Sequence, residues 1–196
     1  MIKIRRATES DEKGIIELFK DCFFKDLSAA HWHWKYRLSP YGSLSYVAEE
    51  DNKIISHYGA ILEHFRINDT TLKAYQFCDV MTHPKYRAKV FSKFPPIVKA
   101  GQLLYAENQM DFAFGFPSER HGKLQKLILG GSQPQKITVF YKNLTSHKKT
   151  SPLNLYRLTS GWQNIKDIDR LEQKSHSRDN ITIIKNSNYI NWRYKN

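Results

Sequence analysis

The chain is short of cysteine, of long apolar runs and of acidic residues, and each shortage excludes something. Cys22 and Cys78 are the only cysteines in 196 residues, too few for a disulfide framework or a four-thiolate metal site. Eight histidines are scattered along the chain, and His31 and His33, two apart, would point to different faces of a helix. The spacings that mark a metal centre are missing, so no metal is expected. No apolar run approaches the roughly 20 residues needed to cross a bilayer. The opening MIKIRRATESDE has no apolar stretch of the signal-peptide kind. The default expectation is a cytoplasmic protein with no membrane partner. Acidic residues number 19 against 31 basic ones, a net charge of +12. Such an excess favours polyanionic partners: nucleic acid, anionic membrane or a phosphate-rich cofactor. The basic residues form no long block and no recognisable nucleic-acid module, so a nucleic-acid role rests on charge and interspersed aromatics alone.

What is present suits a core-forming protein, with 40% hydrophobic and 26% charged residues. The length allows one sizeable domain, or one domain and a fragment of another. Residues 2–8, IKIRRAT, alternate apolar and basic side chains as an opening strand would. Thr8 or Ser10 can cap a following helix whose apolar face is Ile15, Ile16, Leu18, Phe19, Cys22 and Phe23. A second helix is expected around SAAHWHWKYRL, closed by Pro40 and Gly42. The polar turns EDNK and NDTT then divide three β-rich runs near 44–49, 53–67 and 71–82. A helix starting near Pro95, a short buried strand in DFAFGFP, a helix in SERHGKLQKLILGG and a strand in QKITVFYKNL follow. The order β-α-α-β-β-β-α-β-α-β reads as a mixed sheet with helices against it.

Residues 145–152, TSHKKTSP, are polar and basic, as a linker would be. Beyond them lie a helical patch near 164–173 and the apolar run ITII. The closing Trp192-Arg193-Tyr194-Lys195 looks back to Trp34-Lys35-Tyr36-Arg37. Either four residues match by chance, or residues 153–196 open a second, truncated copy of the domain.

The segment DVMTHPKYRAKVFSK is similar to the cofactor segment of the GCN5-related N-acetyltransferase (GNAT) superfamily. IKIRRATESDEKGIIELF, YVAEEDNKIISHYGAI and FAFGFPSERHGKLQKLILGG resemble that family's first strand and helix, its hairpin, and its fifth strand with the helix beyond. The resemblance covers residues 1–144 in order and is closest to larger, sometimes tandem, members. It implies an α/β (α+β) fold, with a mixed, mostly antiparallel sheet, splayed central strands and flanking helices. It also implies an N-acyltransferase that uses acetyl-CoA or another acyl-CoA. Arg87, Ala88, Lys89, Val90, Phe91 and Ser92 would hold the pyrophosphate, with backbone N–H groups at a helix start and added charge. Val80, Met81 and Thr82 would offer backbone groups to the pantetheine amides. Val90 and Ser92 stand where glycine or alanine is usual, and β-branched Val90 restricts the backbone there.

Acetyl transfer needs a base for the amine's proton. Asp79, leading into the cofactor segment, is the first candidate, with His83, Glu63 and His121 behind it; local backbone bonding is the structural alternative for Asp79. Trp34, Tyr36, Tyr41 and Tyr58 could line an acceptor site or simply pack. The helix after the fifth strand holds no tyrosine to protonate the departing thiolate; Lys126 and Leu127 lie near the usual place. The expected partner is a small-molecule or sugar amine, with a homodimer left open. A catalytically degenerate GNAT-like binding or assembly module is the alternative, and a basic nucleic-acid-binding protein the second.

Overall fold

The computed structural model describes residues 1–91, 95–118, 121–123, 126, 130–132, 165–175 and 180–194. The expected strand at 135–144 and linker at 145–152 lie outside the described residues. Five strands of a six-stranded sheet run in the order β1 (Lys3–Arg6), β2 (Ser43–Glu50), β3 (Lys53–Ile67), β4 (Thr70–Thr82) and β5 (Phe112–Gly115). Neighbours are antiparallel except β4 and β5, which run parallel. The β2–β3 turn is tight because Asp51 and Asn52 both take positive φ, 50° and 61°, which matches the twist of the flanking strands. Asn68, at φ 51°, does the same service between β3 and β4.

Helices cover both faces. On one lie α1 (Glu12–Phe23) and α2 (Ala29–Tyr36). α1 buries Ile15, Leu18 and Cys22, one stripe of the helix, against Val47, Ile54 and Met81. Ser28 caps α2 by accepting the His31 N–H at 3.1 Å. On the other face α3 (Pro96–Glu107) packs Ile97, Val98, Ala100 and Leu104 on Tyr46, Tyr58, Ala60 and Tyr75. The strand expected to be buried at β5 is only half-buried along its whole length.

The C-terminal part returns to the sheet. α4 (Ile165–Ser175) is tied to β3 by the Arg66–Glu172 ion pair at 3.0 Å. β6 (Thr182–Ile183) pairs antiparallel with Arg66 and Phe65 of β3. α5 (Ser187–Tyr194) then lays Tyr189 and Trp192 on Ile61, beside α2. Among the described residues no helix is long and apolar enough to cross a membrane.

Candidate active site

The sheet is interrupted at one place. Gly59 of β3 pairs with Cys78 of β4, but His57 pairs with Met81. Two steps along β3 therefore match three along β4, and β4 carries one extra residue. Asp79 takes up the excess at φ 49°, a left-handed conformation that aspartate tolerates better than most side chains. A bulge of this kind bends its strand and redirects side chains. Here Cys78 and Asp79, though consecutive, both reach the Tyr36 hydroxyl, at 3.4 and 2.8 Å.

Three contacts hold the bulge. His57 is fully buried, and its Nδ1 lies 2.7 Å from the Asp79 carbonyl oxygen. A carbonyl can only accept, so Nδ1 carries the proton and Nε2 accepts from the Ser45 hydroxyl at 2.8 Å. Burial draws the His57 pKa below its ordinary value, which favours this neutral ring. Tyr36 and Lys35, from α2, both donate to Asp79 Oδ2, at 2.8 and 2.7 Å. Burial raises the Tyr36 pKa well above its ordinary value, so the hydroxyl keeps its proton and remains a donor. Asp79 Oδ1 takes no hydrogen bond among the described residues, and the side chain is 12% exposed.

Beyond the bulge the sheet opens. The β4–β5 pairing ends at Phe77 and Gly115, while β4 runs on to Thr82. Among the described residues no strand pairs with that outer edge from Cys78 to Thr82. Val80 packs, half-buried, toward α3; Met81 and Thr82 are buried. A 3₁₀ run over Pro84–Phe91 follows, and α3 starts at Pro96.

A family model described as "Acetyltransferase (GNAT) domain" matches residues 3–123. The chain belongs to the GNAT acetyltransferase family. Its fold is shared with glucosamine-6-phosphate N-acetyltransferase from Arabidopsis thaliana, at 15% identity and TM-score 0.54 over 72% of this chain and 99% of that one. It is shared equally with a predicted acetyltransferase from Clostridium acetobutylicum solved with acetyl-CoA, at 15% identity and TM-score 0.54 over 76% of this chain and 100% of that one. An aminoglycoside 6′-N-acetyltransferase from Acinetobacter baumannii matches at 16% identity and TM-score 0.53 over 73% of this chain and 99% of that one. No curated protein sequence matches the chain.

Within this GNAT fold the residues singled out from the sequence fall into separate groups. Val80, Met81 and Thr82 lie on the opened edge, with Asp79 at its head. Ala88, Lys89, Val90 and Phe91 continue the 3₁₀ run, and Ser92 lies outside the described residues. Arg87, expected to lend its charge to phosphate, turns inward. Its Nε donates to the Thr82 carbonyl at 3.0 Å and its Nη2 to the Cys22 carbonyl at 3.4 Å. The aromatic set is not one wall. Tyr36 is buried at the bulge, and Trp34 stacks on Trp192. Tyr41 stacks on His64 and donates to Asn186 Oδ1 at 2.9 Å. Tyr58, expected beside them, is 1% exposed in the core under α3, on the opposite face of the sheet, because alternate β3 side chains point to opposite faces.

The other proposed bases sit apart. His83 is a buried turn residue facing Asp21 at 3.3 Å. His121 lies on helical residues 121–123, where burial lowers its pKa. Glu63 pairs with Ala74, about 16 Å along β4 from Asp79 at the usual strand rise. It is buried, its Oε2 has no hydrogen bond among the described residues, and burial pushes its pKa up to about 7 against the pull of Arg193. Cys78 is a core thiol that burial pushes up to about 11, too high for a nucleophile at neutral pH. Among the described residues no group of three or more His, Cys, Asp or Glu side chains could hold a metal ion. The bulge, His57 and Gly59 escape sequence reasoning; the one visible signal is an aspartate inside the apolar run FCDVM.

Proposed function

We propose that the chain is an N-acyltransferase that moves an acetyl group from acetyl-CoA to a primary amine of a small molecule or amino sugar. The observation that carries this is the coincidence of the opened β4 edge, Val80 to Thr82, with the Asp79 carboxylate at its head. An edge without a strand partner offers N–H and C=O groups in a line, the complement of the two amides in pantetheine. The 3₁₀ run and the start of α3 follow where a pyrophosphate would lie on that path.

The residues divide the work. Oδ2 of Asp79 is held by Lys35 and Tyr36, which fixes the carboxylate; Oδ1 is left to face an acceptor nitrogen. Once the amine attacks the thioester carbonyl, a carbon–nitrogen bond forms, the carbon–sulfur bond breaks and the sulfur leaves as thiolate. Asp79 takes the proton that the nitrogen sheds, and solvent supplies one to the thiolate. The reading places this reaction in the cytoplasm, where Cys22 and Cys78 stay reduced. The sugar-amine and aminoglycoside enzymes that share the fold support amine acceptors of that class.

A second reading, a GNAT module without catalysis, is favoured by Arg87. Its guanidinium is spent on two backbone carbonyls, and α3 begins at a proline with a proline before it. Calorimetric titration with acetyl-CoA, followed by thiol release measured over a panel of primary amines, separates the two. Binding with turnover supports the enzyme; binding without turnover, or no binding at all, ends the enzyme and leaves the module.

A further inference from the structure

The match between Trp34-Lys35-Tyr36 and Trp192-Arg193-Tyr194 extends well beyond sequence. α2 and α5 are both eight residues long and end on the tyrosine of the motif. Each has its cap six residues before the tryptophan: Ser28 accepts the His31 N–H, and Asn186 accepts the Tyr189 N–H. Each tryptophan carries an aromatic ring three residues earlier, His31 at 5.1 Å and Tyr189 at 5.8 Å. The same offset of 158 residues relates all of these pairs.

The two helices also meet through the equivalent residue. Trp34 Nε1 donates to the Trp192 carbonyl at 2.7 Å, and Trp192 Nε1 donates to the Trp34 carbonyl at 2.8 Å. The indoles stack with centroids 5.1 Å apart and planes 15° from parallel. A contact in which i touches j as j touches i is the signature of a two-fold interface between identical surfaces. The correspondence is not complete: His31 is exposed where Tyr189 is buried, and Trp34 is half-buried where Trp192 is buried. Lys35 goes to Asp79 while Arg193 lies over both indoles, and Tyr36 is buried over the bulge while Tyr194 is 59% exposed.

We propose that the outer face of α2 recognises a second copy of its own helix motif, and that α5 is that copy, docked within the same chain. The tryptophan is the part that docks, with Arg193 over the paired indoles; the cap and the preceding aromatic are shared features within each helix.

The test is a full-length chimera in which residues 186–194 are replaced by the sequence of residues 28–36. Slow hydrogen exchange of both motif indole N–H groups, as in the parent chain, is expected; free exchange of either in a folded chimera overturns the proposal. If the chimera does not fold, the full-length Trp192→Ala variant decides. Exposed Trp34 should then pair with Trp34 of another molecule, seen as a dimer in sedimentation velocity that Trp34→Ala returns to monomer. A folded monomer at all concentrations, or a dimer indifferent to Trp34→Ala, overturns it.

Discussion

Replacing Gly59 by alanine tests the bulge more severely than any change to the carboxylate itself. A Cβ at Gly59 would stand 2.7 Å from His57 Cε1 and 2.8 Å from the Cys78 carbonyl oxygen, and it would run into the Tyr36 hydroxyl. None of these three can swing away cheaply. The carbonyl belongs to the paired strand, His57 is bonded at both ring nitrogens, and Tyr36 is stacked on Trp32 at 3.9 Å. Forcing one carbon into such a packed site costs about 1–3 kcal/mol. Pushing Tyr36 off Asp79 also forfeits a hydrogen bond to a charged acceptor, about 1.5–3 kcal/mol.

Together these give a loss of about 2.5–6 kcal/mol, and at about 2–4 °C per kcal/mol for a chain of this size, a fall in Tm of about 5–24 °C. Urea denaturation followed by circular dichroism measures the first, and differential scanning calorimetry the second. Acetyl transfer should fall with them, because the displaced Tyr36 no longer orients the carboxylate. A Gly59→Ala protein within about 0.5 kcal/mol of the parent would mean that the strands relax around the methyl group. The tight seat of Tyr36 against Gly59 would then be no part of what holds Asp79.

Asp79→Asn keeps an acceptor for Tyr36 but removes the proposed base, so the transfer rate should drop by about 10²–10⁴ with acetyl-CoA affinity unchanged; equal losses in both would point to a purely structural carboxylate. Arg87→Ala removes the bonds to Thr82 and Cys22 and should lower Tm, while affinity for acetyl-CoA changes less than about tenfold; a larger loss would mean that the guanidinium turns to phosphate when the ligand arrives. Glu63 is held at about 7 in the folded chain against an ordinary 4.5, so the folded state keeps a proton that the unfolded state loses between those values. Stability should therefore fall as pH rises through that window, by about 3 kcal/mol in all, and Glu63→Gln should abolish that part of the slope in urea denaturations at pH 5 to 8.

The first five strands and the first three helices were legible because each carries its own local signal. Apolar periodicity marked α1, the polar pairs Asp51-Asn52 and Asn68-Asp69 marked the two turns, and Pro95-Pro96 marked the start of α3. The site was less legible because it depends on register. One residue more in β4 than in β3 decides which side chains share a face, and nothing in either strand alone records that count. The grouping of Tyr58 with Trp34 and Tyr36 failed for the same reason, since aromatic character says nothing about which side of a sheet a residue faces. The inward turn of Arg87 was hidden too, because two backbone carbonyls 65 and 5 residues away compete for it as a phosphate would.

Asp79 was open to two readings, a residue bonded for structure and a base, and the geometry lets one carboxylate be both. A left-handed aspartate costs the chain roughly 1–2 kcal/mol at most. The His57 bond to its carbonyl and the two bonds to Oδ2 offset that cost. Oδ1 is thereby freed from structural duty while its direction stays fixed by the groups that hold Oδ2. A base on a flexible side chain would have to be oriented at each turnover; in the role proposed for Asp79, α2 would do so in advance. The same helix presents Trp34 to α5 on its other side, so whatever steadies the C-terminal helix also steadies the two donors on Asp79.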